Sequence, residues 1–329
     1  MKKFLIAILI FYTSAAGIFS QHMTISQIDI SKFPVITTNF MLSDSNGDTY
    51  NNININNFEV YENGKLIPKN TYQISCNTSP SKIILILDQS TSMNEIIDGN
   101  KRWDWVIQSP SNFINKLDLN DGSEIALETF GGESYWKCGF TKNKSEIIDS
   151  MVKIKPYGKT NFNVPMFGPS ASAIDTLSSQ PFGFRRIIVF LTDGAHNDQN
   201  DPIVHTDSIL SKCLNNNIQF FANTFQAQMN NDLSTIAQST NGLDYVIESP
   251  DELNKIYSLI ASKIKTDELC SLSWQSDIIC DGVDRLRNVK IVFTPYKKVF
   301  NLSYIVPEFG VAKIQSDSLL YKFGDLSVG

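Results

Sequence analysis

Three oxygen-bearing residues stand at alternate positions in the short stretch "DQSTS": Asp88, Ser90 and Ser92. They follow directly on the aliphatic run "IILIL". One carboxylate and two hydroxyls make a donor set of oxygen alone, low in charge, which suits a hard cation such as Mg²⁺. A second long aliphatic run, "IIVFL", ends in Thr192, Asp193 and Gly194, and between the two runs "YGKTNF" places Thr160 in a Gly-x-Thr turn. Each feature alone has an ordinary reading. Asp88 serves as a strand-end cap, Ser90 and Ser92 as a turn, and the Thr192–Asp193–Gly194 triplet as another. Cation chemistry requires that they converge, so the elements that position them decide the matter.

From Ser81 to Lys265 aliphatic strands alternate with helical segments. "KIILILD", "SEIALETF", "SYWKCGF", "RRIIVFLTDG", "IQFFANTF" and "LDYVIE" read as strands. The helices are "RWDWVIQSPSNFINKL", "KSEIIDSMVKI", "TNFNVPMFGPSASAIDTL", "TDSILSKCLNNN", "NDLSTIAQST" and "PDELNKIYSLIASKIK". Pro110 should bend the first helix or delay its start, and Pro165 and Pro169 should make the third start late or kink. Aliphatic strands alternating with helices imply a mostly parallel sheet covered on both faces. Ligands of such a sheet bind beyond the carboxyl ends of its strands, which puts the loops of Asp88, Thr160 and Asp193 on one edge.

"DQSTS", Thr160 in "GKTN" and Asp193 in "TDG" together resemble the metal-ion-dependent adhesion site of von Willebrand factor A (VWA) domains, with all five positions in order across residues 81–265. The resemblance implies that Ser90 and Ser92 bind a cation through their hydroxyls. Asp88 and Asp193 would act directly or through water, and Thr160 in one of two loop conformations. It implies Mg²⁺, with Mn²⁺ or Ca²⁺ as alternatives, and a partner protein whose Asp or Glu carboxylate completes the shell. A shift of the last helix, "PDELNKIYSLIASKIK", would tune affinity. The expected fold is α/β: a doubly wound, mostly parallel sheet of VWA/Rossmann-like type, flanked by β-sandwich (Ig-like) segments.

Those flanks are residues 21–80 and 266–310, rich in short β patterns such as "PVITTNFML" and "NVKIVFTPY". Each is small for an independent domain, so one sandwich built from both is expected, with two separate β modules as the alternative. In the first flank "DSNGD" lacks the Gly and Glu spacing of a calcium loop and reads as a hairpin turn. Residues 311–329 read as the start of a further β repeat, as in a fragment of a longer surface protein. Residues 1–20 have the basic start, apolar run and small residues of a secretory signal peptide, with a retained anchor as the alternative. Its loss, taking Lys2 and Lys3, moves the formal charge from −6 to −8 and leaves no integral membrane span. With 42% hydrophobic and 19% charged residues the chain is globular, and its acidity argues against nucleic acid as a partner. Of the five cysteines, Cys270 and Cys280 are the expected disulfide, Cys76 competes for Cys270, and Cys138 and Cys213 read as small buried residues.

The sequence lacks a Gly-x-Ser-x-Gly elbow, a His-Glu-x-x-His pair and a phosphate-cradling loop, so a metal-dependent hydrolase is the weakest reading. His196 and His205 have loop-like spacing with no cysteine between them, which does not suggest a transition-metal site. The expected role is a non-enzymatic, secreted or cell-surface adhesion module, with an architectural module of a larger assembly as the alternative.

Overall fold

The computed structural model describes residues 22–43, 53–77, 79–97, 100–225, 229–267, 269–276 and 285–307. The signal-peptide reading, the "DSNGD" loop, Cys280 and the stretch 311–329 lie outside the described residues. The first flank supplies β1 (His22–Lys32), β2 (Val35–Ser43), β3 (Phe58–Glu62), β4 (Lys65–Leu66) and β5 (Gln73–Asn77). Next come β6 (Ser81–Asp88), the two-residue strands β7 (Ile96–Ile97) and β8 (Asn100–Lys101), α1 (Arg102–Lys116), β9 (Glu124–Phe130) and β10 (Ser134–Thr141). They are followed by α2 (Lys144–Met151), α3 (Val164–Phe167), α4 (Ala173–Ser178), β11 (Arg185–Thr192) and α5 (Thr206–Asn215). The α/β part closes with β12 (Ile218–Phe225), α6 (Asn231–Ser239), β13 (Asp244–Ile247) and α7 (Pro250–Thr266). The last flank adds β14 (Leu269–Gln275), β15 (Leu286–Phe293) and β16 (Lys298–Ile305).

The central sheet runs β10-β9-β6-β11-β12-β13, with β10 alone antiparallel. Continuous apolarity along β6 has a direct cause: alternate residues enter two different cores. Ile83, Leu85 and Leu87 pack with α1, α2 and α7, whereas Ile84 and Ile86 pack with α3 to α6. Within the first core Phe113 of α1 stacks on Tyr257 of α7 at 5.2 Å between centroids. The ends of α7 carry charges that oppose its dipole, Asp251 and Glu252 in the first turn and Lys263 and Lys265 in the last. Helix α1 starts at Arg102 and runs through Pro110, so the expected late start is not found. The segment with Pro165 and Pro169 does break, into α3 and α4.

The flanks are interleaved. One four-stranded sheet is β1-β2-β14-β5 and the other β16-β15-β3-β4, so each takes strands from both ends of the chain. They share one core around Phe40, Phe58, Trp274 and Phe293. Buried Glu62 joins the sheets, accepting from Trp274 Nε1 at 2.6 Å, Ser276 Oγ at 2.7 Å and Tyr304 OH at 2.9 Å. The disulfide expected between Cys270 and Cys280 is corrected here: Cys270 is bonded to Cys76. Antiparallel pairing of β5 with β14 sets those two residues directly opposite each other, a proximity that sequence spacing conceals. Cys138 and Cys213 are free, the second fully buried.

The β unit meets the α/β unit at the amino ends of the central strands. Arg185, at the start of β11, donates its backbone N–H to Pro80 O and its guanidinium to Ile264 O and Gln219 Oε1. Thr24 of β1 donates to Asn217 Oδ1, just ahead of β12. Eight residues of β6 at about 3.3 Å each put Asp88 about 25 Å away, at the far end of the sheet.

Candidate metal centre

Parallel pairing of β6 with β11 matches Leu87 to Leu191, so Asp88 and Thr192 emerge side by side at the carboxyl edge. It is also where the chain, having built β9 and β10 on one side of β6, crosses to the other. A crevice opens at such a crossing point. Asp88 is fully buried, and each of its carboxylate oxygens has a partner. Oδ1 accepts the Ser90 backbone N–H at 2.8 Å and Oδ2 the Thr192 hydroxyl at 2.6 Å. After Asp88 the chain turns through a short 3₁₀ segment, Thr91–Asn94, which brings the Ser90 and Ser92 hydroxyls to 3.0 Å from each other. Ser92 Oγ then donates to Asp193 Oδ1 at 2.9 Å. Ser90, Ser92 and Asp193 thus form one continuous chain of side-chain oxygens beside Asp88.

The electrostatics are those of acids crowded in a dry place. Burial pushes the Asp88 carboxyl up to about 7, the neighbouring Asp193 charge adds to the rise, and the Ser90 and Thr192 hydrogen bonds oppose it. Asp193 is itself bonded by the Arg102 guanidinium through Oδ2.

Thr160 is tied to this group through main chain on two sides. Its N–H donates to Asn197 Oδ1 and its carbonyl accepts the Asn197 N–H, both at 2.8 Å, fastening it to the loop after Asp193. Gly158 O, two residues earlier, accepts both the N–H and the hydroxyl of Thr91 at 3.0 Å. Gly158 has φ of +96°, a conformation that favours glycine. A Cβ on the facing Gly131 would lie 3.0 Å from Tyr157 O, so both glycines let the loop settle against the Asp88 turn.

Among the described residues no cluster of three or more His, Cys, Asp or Glu side chains is arranged to hold a metal. The group here has two carboxylates and completes its donors with hydroxyls, the set that suits a hard cation. Asp88, Ser90, Ser92 and Asp193 stand together there, and Thr160 is joined to them through its main chain. His196 accepts the Phe162 N–H on Nδ1 and meets Asp201 O with Nε2, and His205 pairs with Asp201 at 3.4 Å. Trp103 and Trp105 are core residues.

Two participants escaped sequence reasoning. Thr192 is visible in "LTDG" as a hydroxyl beside the aspartate, yet only strand pairing reveals that it faces Asp88. Arg102 has no local signal. The hairpin of β7 and β8 folds it back so that it reaches Asp193, Ser92 O at 3.3 Å and Glu95 at 3.1 Å.

Residues 83–196 match the family model of the von Willebrand factor type A domain. No curated protein matches the chain. Among solved structures, the chain is similar to the conserved hypothetical protein BatB from Bacteroides thetaiotaomicron (TM-score 0.41, 15% identity, 56% of this chain and 98% of that one). It is also similar to the PilB minor pilin from Streptococcus sanguinis (TM-score 0.44, 14% identity, 75% and 79%). A third is proximal thread matrix protein 1 from the mussel byssus, with a zinc-occupied MIDAS motif (TM-score 0.45, 17% identity, 64% and 51%). The middle of this chain is therefore a VWA-type α/β fold with a mixed sheet, accompanied by two antiparallel sheets.

Proposed function

We propose that this protein is a secreted or cell-surface adhesion module that docks an acidic side chain of a partner protein through a divalent cation. Asp88, Ser90, Ser92, Thr160 and Asp193 are the residues that would hold it. The observation that carries the reading is the oxygen chain from Ser90 through Ser92 to Asp193, set against buried Asp88 at the sheet edge farthest from the β unit. When bound, Mg²⁺ supplies a positive centre that a carboxylate can approach, because neutral hydroxyls leave its charge under-neutralised. The chain's own residues do the rest. β6 and β11 fix Asp88 and Thr192, the 3₁₀ turn presents the serines, and the Gly158 loop, bonded to Thr91, would bring Thr160 to the cation.

In this reading residues 81–265 form a doubly wound VWA unit. Residues 21–80 and 266–310 form one sandwich beneath it, and residues 1–20 direct export.

Retention on an array of Asp-containing peptides and their Asn counterparts, in Mg²⁺ and in EDTA, tests the proposal. Retention confined to Asp peptides in Mg²⁺ is expected, and equal retention of Asn peptides would overturn it. The Arg102–Asp193 pair favours a second reading, an architectural module, because it holds the loop by an internal charge pair. That reading predicts binding to its neighbours regardless of EDTA.

A further inference from the structure

Arg102 occupies an unexpected place for a cation. Its guanidinium is bonded to the buried Asp193, the carboxylate whose other oxygen takes the Ser92 hydroxyl. The Arg102 side chain is 9% exposed and the Asp193 side chain 0%. The same guanidinium donates to Ser92 O at 3.3 Å and to Glu95 at 3.1 Å, while its backbone N–H donates to Glu95 O at 2.9 Å. Glu95 is 63% exposed, so water screens its charge far more than that of Asp193.

We infer that Arg102 is the specificity-determining charge of the site: it weakens cation binding and keeps the loaded site positive, so that the site selects an anionic carboxylate. The inference rests on the metal-docking reading above. Two ionised aspartates and one arginine carry a single net negative charge. A divalent cation added to them leaves a single net positive charge, which an incoming carboxylate neutralises. Without Arg102 the loaded site would be neutral, and the preference for an anionic over a neutral ligand would be lost. Because Asp193 is shared, the interaction acts over a few ångströms in a buried setting, where charges couple strongly.

The test uses the described protein with Mn²⁺ as cation and acetate as carboxylate. Calorimetry measures Mn²⁺ affinity, and water-proton relaxation reports acetate displacing Mn²⁺-bound water. Arg102→Gln should bind Mn²⁺ at least about tenfold more tightly and acetate at least about tenfold more weakly, a modest share of the coupling expected of charges so close. Arg102→Lys, which keeps the charge, should stay near wild type in both. Glu95→Gln removes an exposed opposing charge and should shift both affinities the other way, an arm that remains if Arg102→Gln does not fold. Equal weakening of Mn²⁺ binding by Arg102→Gln and Arg102→Lys would show a merely structural arginine and overturn the inference. Acetate binding indifferent to Arg102 and Glu95 would overturn it too, leaving the metal reading intact. Wild-type protein that binds no Mn²⁺ would overturn both.

Discussion

Replacing Thr192 by valine removes one hydroxyl and keeps the shape of the side chain. In the folded protein that hydroxyl donates to buried Asp88 Oδ2 at 2.6 Å and accepts the Gly194 N–H at 3.2 Å. Asp88 stands at about 7, raised by burial and by Asp193 and held down in part by this bond. A hydrogen bond to a charged group contributes about 1.5–3 kcal/mol. At about 1.36 kcal/mol per pH unit, its loss raises the Asp88 pKa by about 1–2 units. Cation binding needs the ionised carboxylate, so proton and metal compete. At pH 7 the wild-type carboxyl is about half ionised and that of the variant about 1–10%, so apparent Mg²⁺ affinity drops about 5- to 50-fold. The two curves should converge as pH rises past about 9. Calorimetric Mg²⁺ titrations between pH 6 and 9, in buffers of differing ionisation enthalpy, measure both affinity and protons released. A variant with the wild-type pH midpoint, weaker by one constant factor throughout, would refute the proposed route through Asp88.

Other consequences concern stability. Asp88 and Glu128 both titrate above their unfolded values, Glu128 being pushed by burial to about 9, so each contributes stability at low pH that is lost as pH rises. The cation-free protein should therefore melt at progressively lower temperature from pH 5 to 9, and saturating Mg²⁺ should remove the Asp88 share of that fall. Both carboxyl oxygens of Glu128 are buried without a hydrogen-bond partner among the described residues. Glu128→Met should stabilise by about 1–3 kcal/mol at pH 8, visible in urea melts, and a destabilised variant would reveal a buried partner for the carboxyl. Reduction of Cys76–Cys270, which spans 194 residues, should cost about 2–5 kcal/mol. Loss should appear first in the β unit, through Trp274 fluorescence, because β5 and β14 carry the bridge.

The legible part of this molecule was whatever repeats locally. β6 and β11 announce themselves because strands covered on both faces carry unbroken apolar runs, here Ile83–Leu87 and Ile187–Leu191, and the oxygen-bearing residues follow at once. Asp88, Ser90, Ser92 and Asp193 could be nominated together since the ends of parallel strands share an edge. Partnerships made by sheet pairing were not decided by spacing, which left Cys76 as the rival partner of Cys270 and gave no partner for Thr192. Cys76 meets Cys270 only because β5 and β14 are neighbours, and Thr192 meets Asp88 only through the register of β6 on β11. Arg102 was hidden for a related reason: a two-strand hairpin carries it back over the serine turn, and nothing in "NKRWDW" marks a guanidinium aimed at a buried acid.

The central claim is that Asp88, Ser90, Ser92, Thr160 and Asp193 hold a divalent cation. Calorimetric titration of residues 21–329 with Mg²⁺ and Mn²⁺, beside an Asp88→Ala, Ser90→Ala double variant, addresses it most directly. Saturable one-to-one binding is expected in the wild type and its loss in a variant that remains folded. Binding of equal strength in the folded variant, or none in the wild type, would contradict it.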